Sequence, residues 1–286
     1  MIKKVTNKLK YLIKTKSTLK ELKKNSDNDI RIMGSVIDFI ISDNSWTEEE
    51  KAALNEVDKL EKKYLKSSET IENVDYGAGS SNSKRSQQNI KEGNITIQKI
   101  SDIHKIASSN KKWGKLIFKI IRAHKPTNCL ELGTSLGVSA AYQILALKLN
   151  HNGNLTTIEG SKERAKIANE SLKNLQYKDY KVVNGKFYDI LPEVLDKNEL
   201  IDLVFIDGHH DETATQKYFE LLYPFLSDKS ILIFDDINWS NGMKSVWKNI
   251  YKDNRINASF DLYQWGICLV NKDKKKMEEN HFNLRI

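Results

Sequence analysis

The chain has 286 residues, 39% of them hydrophobic and 9% aromatic, enough for one large domain with a core plus an extension. Its net charge of +8 is local: residues 1–24 hold nine lysines and one acid, and the rest carries 37 basic against 37 acidic residues. A neutral body weakens a nucleic-acid reading, the absence of any apolar run of membrane-span length excludes a spanning helix, and the start MIKKVTNKLKYLIKTK lacks the apolar stretch of a signal peptide, so the expected location is the cytoplasm.

Ile2, Val5, Leu9, Leu12 and Leu19 recur at helical spacing between lysines, which predicts a basic amphipathic helix. Such a helix docks on its own domain, on a second copy of the chain, or on an anionic membrane surface. A second apolar segment is IRIMGSVIDFII at 30–41, and Thr47 with Glu50 forms a capping box for a helix over 47–65. Residues 1–75 are expected to form a helical extension. The Ser-, Gly- and Asn-rich residues 76–95, within a longer polar stretch from 66, read as a loop or a lid. Helices are expected over 96–109 and 111–124, the second with Trp113, Leu116, Ile117, Ile120 and Ile121 on one face.

From 128 the pattern alternates. Strands are expected at 128–133, 154–159, 180–184, 201–207 and 230–236, with helices between them. FDLYQ (260–264) and WGICLVNK (265–272) lie too close for a helix and read as an antiparallel pair. The expected fold class is α/β: a Rossmann-like, doubly wound, mostly parallel seven-stranded sheet with an antiparallel last strand, over residues 96–286. Cys129 and Cys268 sit in apolar runs and are expected to be reduced core residues.

The first strand of this region runs into ELGTSLGVSA, 131–140. Gly133 and Gly137 in a strand-to-helix turn let the backbone approach a ligand, and Glu159 at the end of the next strand can accept both hydroxyls of a ribose. The turn is neither a dinucleotide nor a phosphate-loop pattern. The sequence resembles class I S-adenosylmethionine-dependent methyltransferases, and within them the metal-using catechol O-methyltransferase-like group. The resemblance implies that Glu131, Gly133, Thr134, Ser135, Gly137, Ser139, Glu159 and Asp207 face the cofactor, with Phe187 and Tyr188 at its adenine.

Four apolar residues, Ile231 to Phe234, run into Asp235 and Asp236. Acids ending a buried strand call for a counter-charge. Asp207 ends the strand expected beside it, so Asp207, Asp235 and Asp236 are candidate metal ligands, Mg²⁺ being the ion expected for such a set. Relatives have Asp-Asn where this chain has Asp235–Asp236. The resemblance makes His210 the general base with Asp207 as its catalytic partner. His209 and Trp239 are candidates for lining the acceptor site.

The expected activity is methylation of a hydroxyl on a small molecule, a sugar or a glycan, with S-adenosylmethionine and a divalent metal. Two alternatives remain open at this point: methylation of a tRNA hydroxyuridine, which salt-steep RNA binding would reveal, and an inactive cofactor-binding scaffold, whose function would survive Asp207→Ala.

Overall fold

The computed structural model describes residues 13–42, 44–77, 79–80, 83–84, 92–107, 111–195, 199–274, 280–284 and 286. The chain divides into two compact units, one of Ser45–His209 and one of residues 1–44 with His210–Ile286.

In the first unit, α3 (Glu48–Lys66) begins with the predicted capping box: the Thr47 side chain accepts from Glu50 N–H and the Glu50 carboxylate from Thr47 N–H. The polar stretch after it is not a plain loop. β1 (Thr70–Asp75) pairs antiparallel with β4 (Asn94–Lys99), and the two-residue strands β2 (Gly79–Ser80) and β3 (Ser83–Lys84) pair with each other. The helix expected from 96 therefore starts later, as α4 (Ile100–Ala107), because the alternation of Ile95 and Ile97 in NITIQK suits a strand that finds a partner in TIENVD. α5 (Lys111–His124) follows, with Trp113, Leu116, Ile117, Ile120 and Ile121 buried as predicted.

Parallel strands and helices then alternate: β5 (Asn128–Leu132), α6 (Val138–Asn150), β6 (Asn154–Glu159), α7 (Lys162–Lys173), β7 (Tyr180–Asn184), α8 (Phe187–Leu195) and β8 (Ile201–Ile206). Within this unit the strands lie in the order β8-β5-β6-β7, every pair parallel. Central β5 is buried on both sides from Cys129 onward, hence its near-continuous apolar run. The strand order reverses between β5 and β8, which opens a crevice at their carboxyl ends, where ligands of such sheets bind.

In the second unit, α1 covers residues 13–22 and α2 is Asn28–Ile41. Leu19 and Leu22 are buried, and the Thr15 hydroxyl donates to the Leu284 carbonyl at 2.5 Å. A Cβ on Gly34 would lie 2.6 Å from Leu22 Cβ, so glycine sets how closely α1 and α2 cross. The described part of the basic helix thus packs on its own unit; Ile2, Val5, Leu9 and Leu12 lie outside the described residues.

α9 (Glu212–Leu222) leads to β9 (Leu226–Phe234), then α10 (Asn241–Lys252), β10 (Ala258–Asp261), β11 (Gly266–Asn271) and β12 (His281–Asn283). β11 runs antiparallel to β10, as the back-to-back spacing predicted, and also to β9. β12, a strand the sequence did not predict, pairs parallel with β10. Its three residues, HFN, are too few to show a period. Cys129 and Cys268 are both buried. Among the described residues no helix is long and apolar enough to cross a membrane.

Candidate active site

The turn after β5 is built by hydrogen bonds rather than by composition alone. Gly133 and Thr134 N–H both donate to the Ile158 carbonyl, and Gly137 N–H closes the turn on the Thr134 carbonyl at 2.8 Å. Gly133 has φ 108°, and a Cβ there would collide with the Asp207 carbonyl oxygen. Only glycine permits both the dihedral and the approach. Gly137, φ 86°, stands at the start of α6 with Ala168 3.1 Å from where its Cβ would be.

Glu131 lies beneath this turn, fully buried. Its carboxylate accepts from Gln143 Nε2 at 2.7 Å and from the Thr157 hydroxyl at 2.5 Å, with the Ser139 side chain as a further donor. Thr134 Oγ1 lies 2.5 Å from Thr157 Oγ1 and extends the network. Burial pushes the Glu131 carboxyl up to about 7 against the opposing pull of these donors. Glu131, Thr134 and Ser139 are thus brought together as one polar cluster under the turn.

Glu159 ends β6 as predicted and is held rigidly. Oε2 accepts from Ser135 N–H at 2.8 Å; Oε1 accepts from Ser161 N–H at 2.8 Å and pairs with Arg164 at 2.9 Å. Around it Ser135 Oγ, Ser161 Oγ and Arg164 Nε are buried without a hydrogen-bond partner. Buried polar atoms left so are uncommon, and hydroxyls of a bound ribose are the kind of group that satisfies them. Phe187 opens α8, buried against Gly208, and its ring lies 5.6 Å from that of His209; the Tyr188 ring lies 6.2 Å from His209 and is 42% exposed. His209, expected at the acceptor, thus packs with the two aromatics expected at adenine.

β9 ends at Phe234, so both following acids sit in the turn. Asp235 is 7% exposed, and Gln264 Nε2 reaches its Oδ1 at 3.4 Å. Asp236 has φ 52°; burial, then the neighbouring Asp235, raises its carboxyl to about 6 while His210 pulls the other way. The Trp239 ring lies 6.0 Å from that of His210, and Trp239 N–H closes the turn on the Asp236 carbonyl. Asp207 follows β8 in the first unit, and His210, Asp235 and Asp236 belong to the second.

Sequence reading missed Tyr64 and Gln264. The Tyr64 hydroxyl, buried, donates to the Leu136 carbonyl inside the glycine turn at 2.7 Å and lies 2.8 Å from Ser171 Oγ. An apolar helical stripe reads as core, and nothing in its spacing marks one phenol as a support.

Residues 130–237 match the family model described as a methyltransferase domain. Three solved structures share the fold. An O-methyltransferase from Bacillus cereus in complex with S-adenosylhomocysteine is 23% identical, with a TM-score of 0.50, covering 58% of this chain and 83% of that one. An O-methyltransferase from Streptomyces achromogenes involved in tomaymycin synthesis, in complex with S-adenosylmethionine, is 21% identical, with a TM-score of 0.50 over 58% of this chain and 82% of that one. A methyltransferase from Podospora anserina, bound to S-adenosylhomocysteine, is 16% identical, with a TM-score of 0.50 over 58% and 80%. Residues 130–237 are thus similar to a methyltransferase domain, and the chain shares its fold with these three solved methyltransferases.

Proposed function

We propose that the protein transfers a methyl group from S-adenosylmethionine to a hydroxyl of a small molecule, a sugar or a glycan, assisted by a divalent cation. The observation that carries this reading is the glycine turn with Glu159 held at the end of β6, where Ser135 Oγ, Ser161 Oγ and Arg164 Nε are buried without a hydrogen-bond partner. The buried Asp235 and the raised Asp236 leave negative charge that a cation would offset. Asp235 is an oxygen donor that would hold Mg²⁺, and Gln264 Nε2 reaches its Oδ1. A cation bound there supplies charge that lowers the pKa of an acceptor hydroxyl and favours two adjacent oxygens.

His210 takes the hydroxyl proton. The acceptor oxygen forms its bond to the methyl carbon as the carbon–sulfur bond breaks, leaving S-adenosylhomocysteine. Glu159 and the glycine turn orient the nucleoside, and positioning accounts for much of the rate. Trp239 walls the acceptor side next to His210.

Calorimetric titration with S-adenosylhomocysteine, with and without Mg²⁺ and a catechol probe, tests this. Nucleoside binding at micromolar strength, with probe binding only when metal is present and lost in Asp235→Asn, is the expected result. Nucleoside binding that leaves the probe indifferent to metal would demote the acids to structural groups. Absence of nucleoside binding would defeat the proposal.

A further inference from the structure

Tyr76, just after β1, stands outside the matched methyltransferase segment, yet it meets the residues expected to hold the nucleoside. A Cβ on Gly160, the residue after Glu159, would lie 2.6 Å from Tyr76 Cδ2, and one on Gly93, φ 84°, would lie 2.7 Å from Tyr76 Cε1. Two glycines therefore make room for this one ring. The Lys186 ammonium lies 5.1 Å from the ring centroid, and Lys186 immediately precedes Phe187 and Tyr188.

The backbone on the strand side of Tyr76 is tied to the same place. Arg164 donates to the Val74 carbonyl at 3.1 Å and pairs with Glu159 Oε1 at 2.9 Å. One guanidinium thus couples hairpin β1–β4 to the acid expected at the ribose. Asp75 Oδ1 accepts from Gly77 N–H at 2.9 Å and fixes the chain just past the ring. The half-buried ring is accordingly placed between the end of β6 and the turn that opens α8, where ribose and adenine are expected to meet.

We propose that Tyr76 is a cofactor-binding residue that flanks the adenosine of S-adenosylmethionine, which makes hairpin β1–β4 part of the nucleoside site. This rests on the methyltransferase reading above. The ring supplies an apolar, polarisable face to a purine nucleoside, and Lys186 and Arg164 hold it and its strand in place.

The test is titration of the full chain and of Tyr76→Ala, Tyr76→Leu and Tyr76→Phe with S-adenosylhomocysteine and with methylthioadenosine, which lacks the amino-acid end. The alanine and leucine variants are expected to bind both ligands about tenfold more weakly, the order of loss for an aromatic contact to a base. Phenylalanine should retain the affinity, and the ligand-free melting temperature of the leucine variant should stay at the wild-type value. An equal loss for both ligands places the contact on the nucleoside. Wild-type affinity in Tyr76→Leu overturns the inference while leaving the methyltransferase reading intact. Failure of the wild-type chain to bind either ligand removes both. Should Tyr76→Ala not fold, the leucine and phenylalanine variants decide the question.

Discussion

Among the described residues, four of the residues that the sequence marks as candidates hold left-handed backbone without being glycine: Ser135, His209, His210 and Asp236, with φ of 47°, 63°, 45° and 52°. Such conformations cost about 1 kcal/mol or more each, and they persist where surrounding contacts over-determine them. They fall in the turns that follow β5, β8 and β9, where chemistry-bearing side chains are needed. Gly133 is the extreme case, because a side chain there meets the Asp207 carbonyl as well as a forbidden dihedral. Gly133→Ala should lower stability by at least about 2 kcal/mol and abolish S-adenosylhomocysteine binding, both readable from denaturant titration with and without ligand. Glu131 carries the pH dependence. Its carboxyl is raised to about 7 in the fold, with burial the main cause. The stability it contributes is therefore complete below the ordinary carboxylate range and is lost as pH rises through about 7. Melting temperature measured against pH should fall across that window in the wild type and fall less in Glu131→Gln. Parallel curves for the two proteins would contradict the assignment.

At the scale of elements, the glycine turn is supported from outside the matched segment. α3 sends Tyr64 to the Leu136 carbonyl, and the same helix is fixed at its start by the Thr47–Glu50 capping box. Tyr64→Phe leaves a buried carbonyl without its donor and should cost about 1–2 kcal/mol, with a weaker S-adenosylhomocysteine affinity in the same variant. Unchanged stability and affinity would show that the phenol is dispensable. β1 and β4 are the elements whose sequence misleads. TIENVD is polar at alternate positions and short, and NITIQK runs directly into a helix, so neither reads as a strand until the other is placed opposite it. Residues 96–99, expected in a helix, are extended for that reason. Ile95 and Ile97 remain exposed on the hairpin, 61% and 70%, which also blurs any inside-outside pattern.

At the scale of the whole molecule, ligand binding and stability are linked. A nucleoside that binds only the native chain should raise the unfolding free energy by about 2.7 kcal/mol at a hundredfold excess over Kd; an unmoved thermal transition at saturating S-adenosylhomocysteine would contradict the cofactor assignment. The sequence by itself determined the alternation of strands and helices from 128, the glycine turn, the acid that ends β6, the acids beyond β9 and the antiparallel pair at the end. These signals are local: a period of two or of three to four, a glycine spacing, an apolar run stopped by a charge. Tertiary structure decided what no local pattern encodes. It sank Glu131 into a network with Thr157 and Gln143, placed His209 against Phe187 and Tyr188, and set Trp239 beside His210. It also added β12 to the sheet and turned a polar stretch into a hairpin that reaches Glu159 through Arg164. Each of these depends on pairing between residues far apart in the chain, where partner geometry, and not the residue's own neighbours, fixes the lowest free energy.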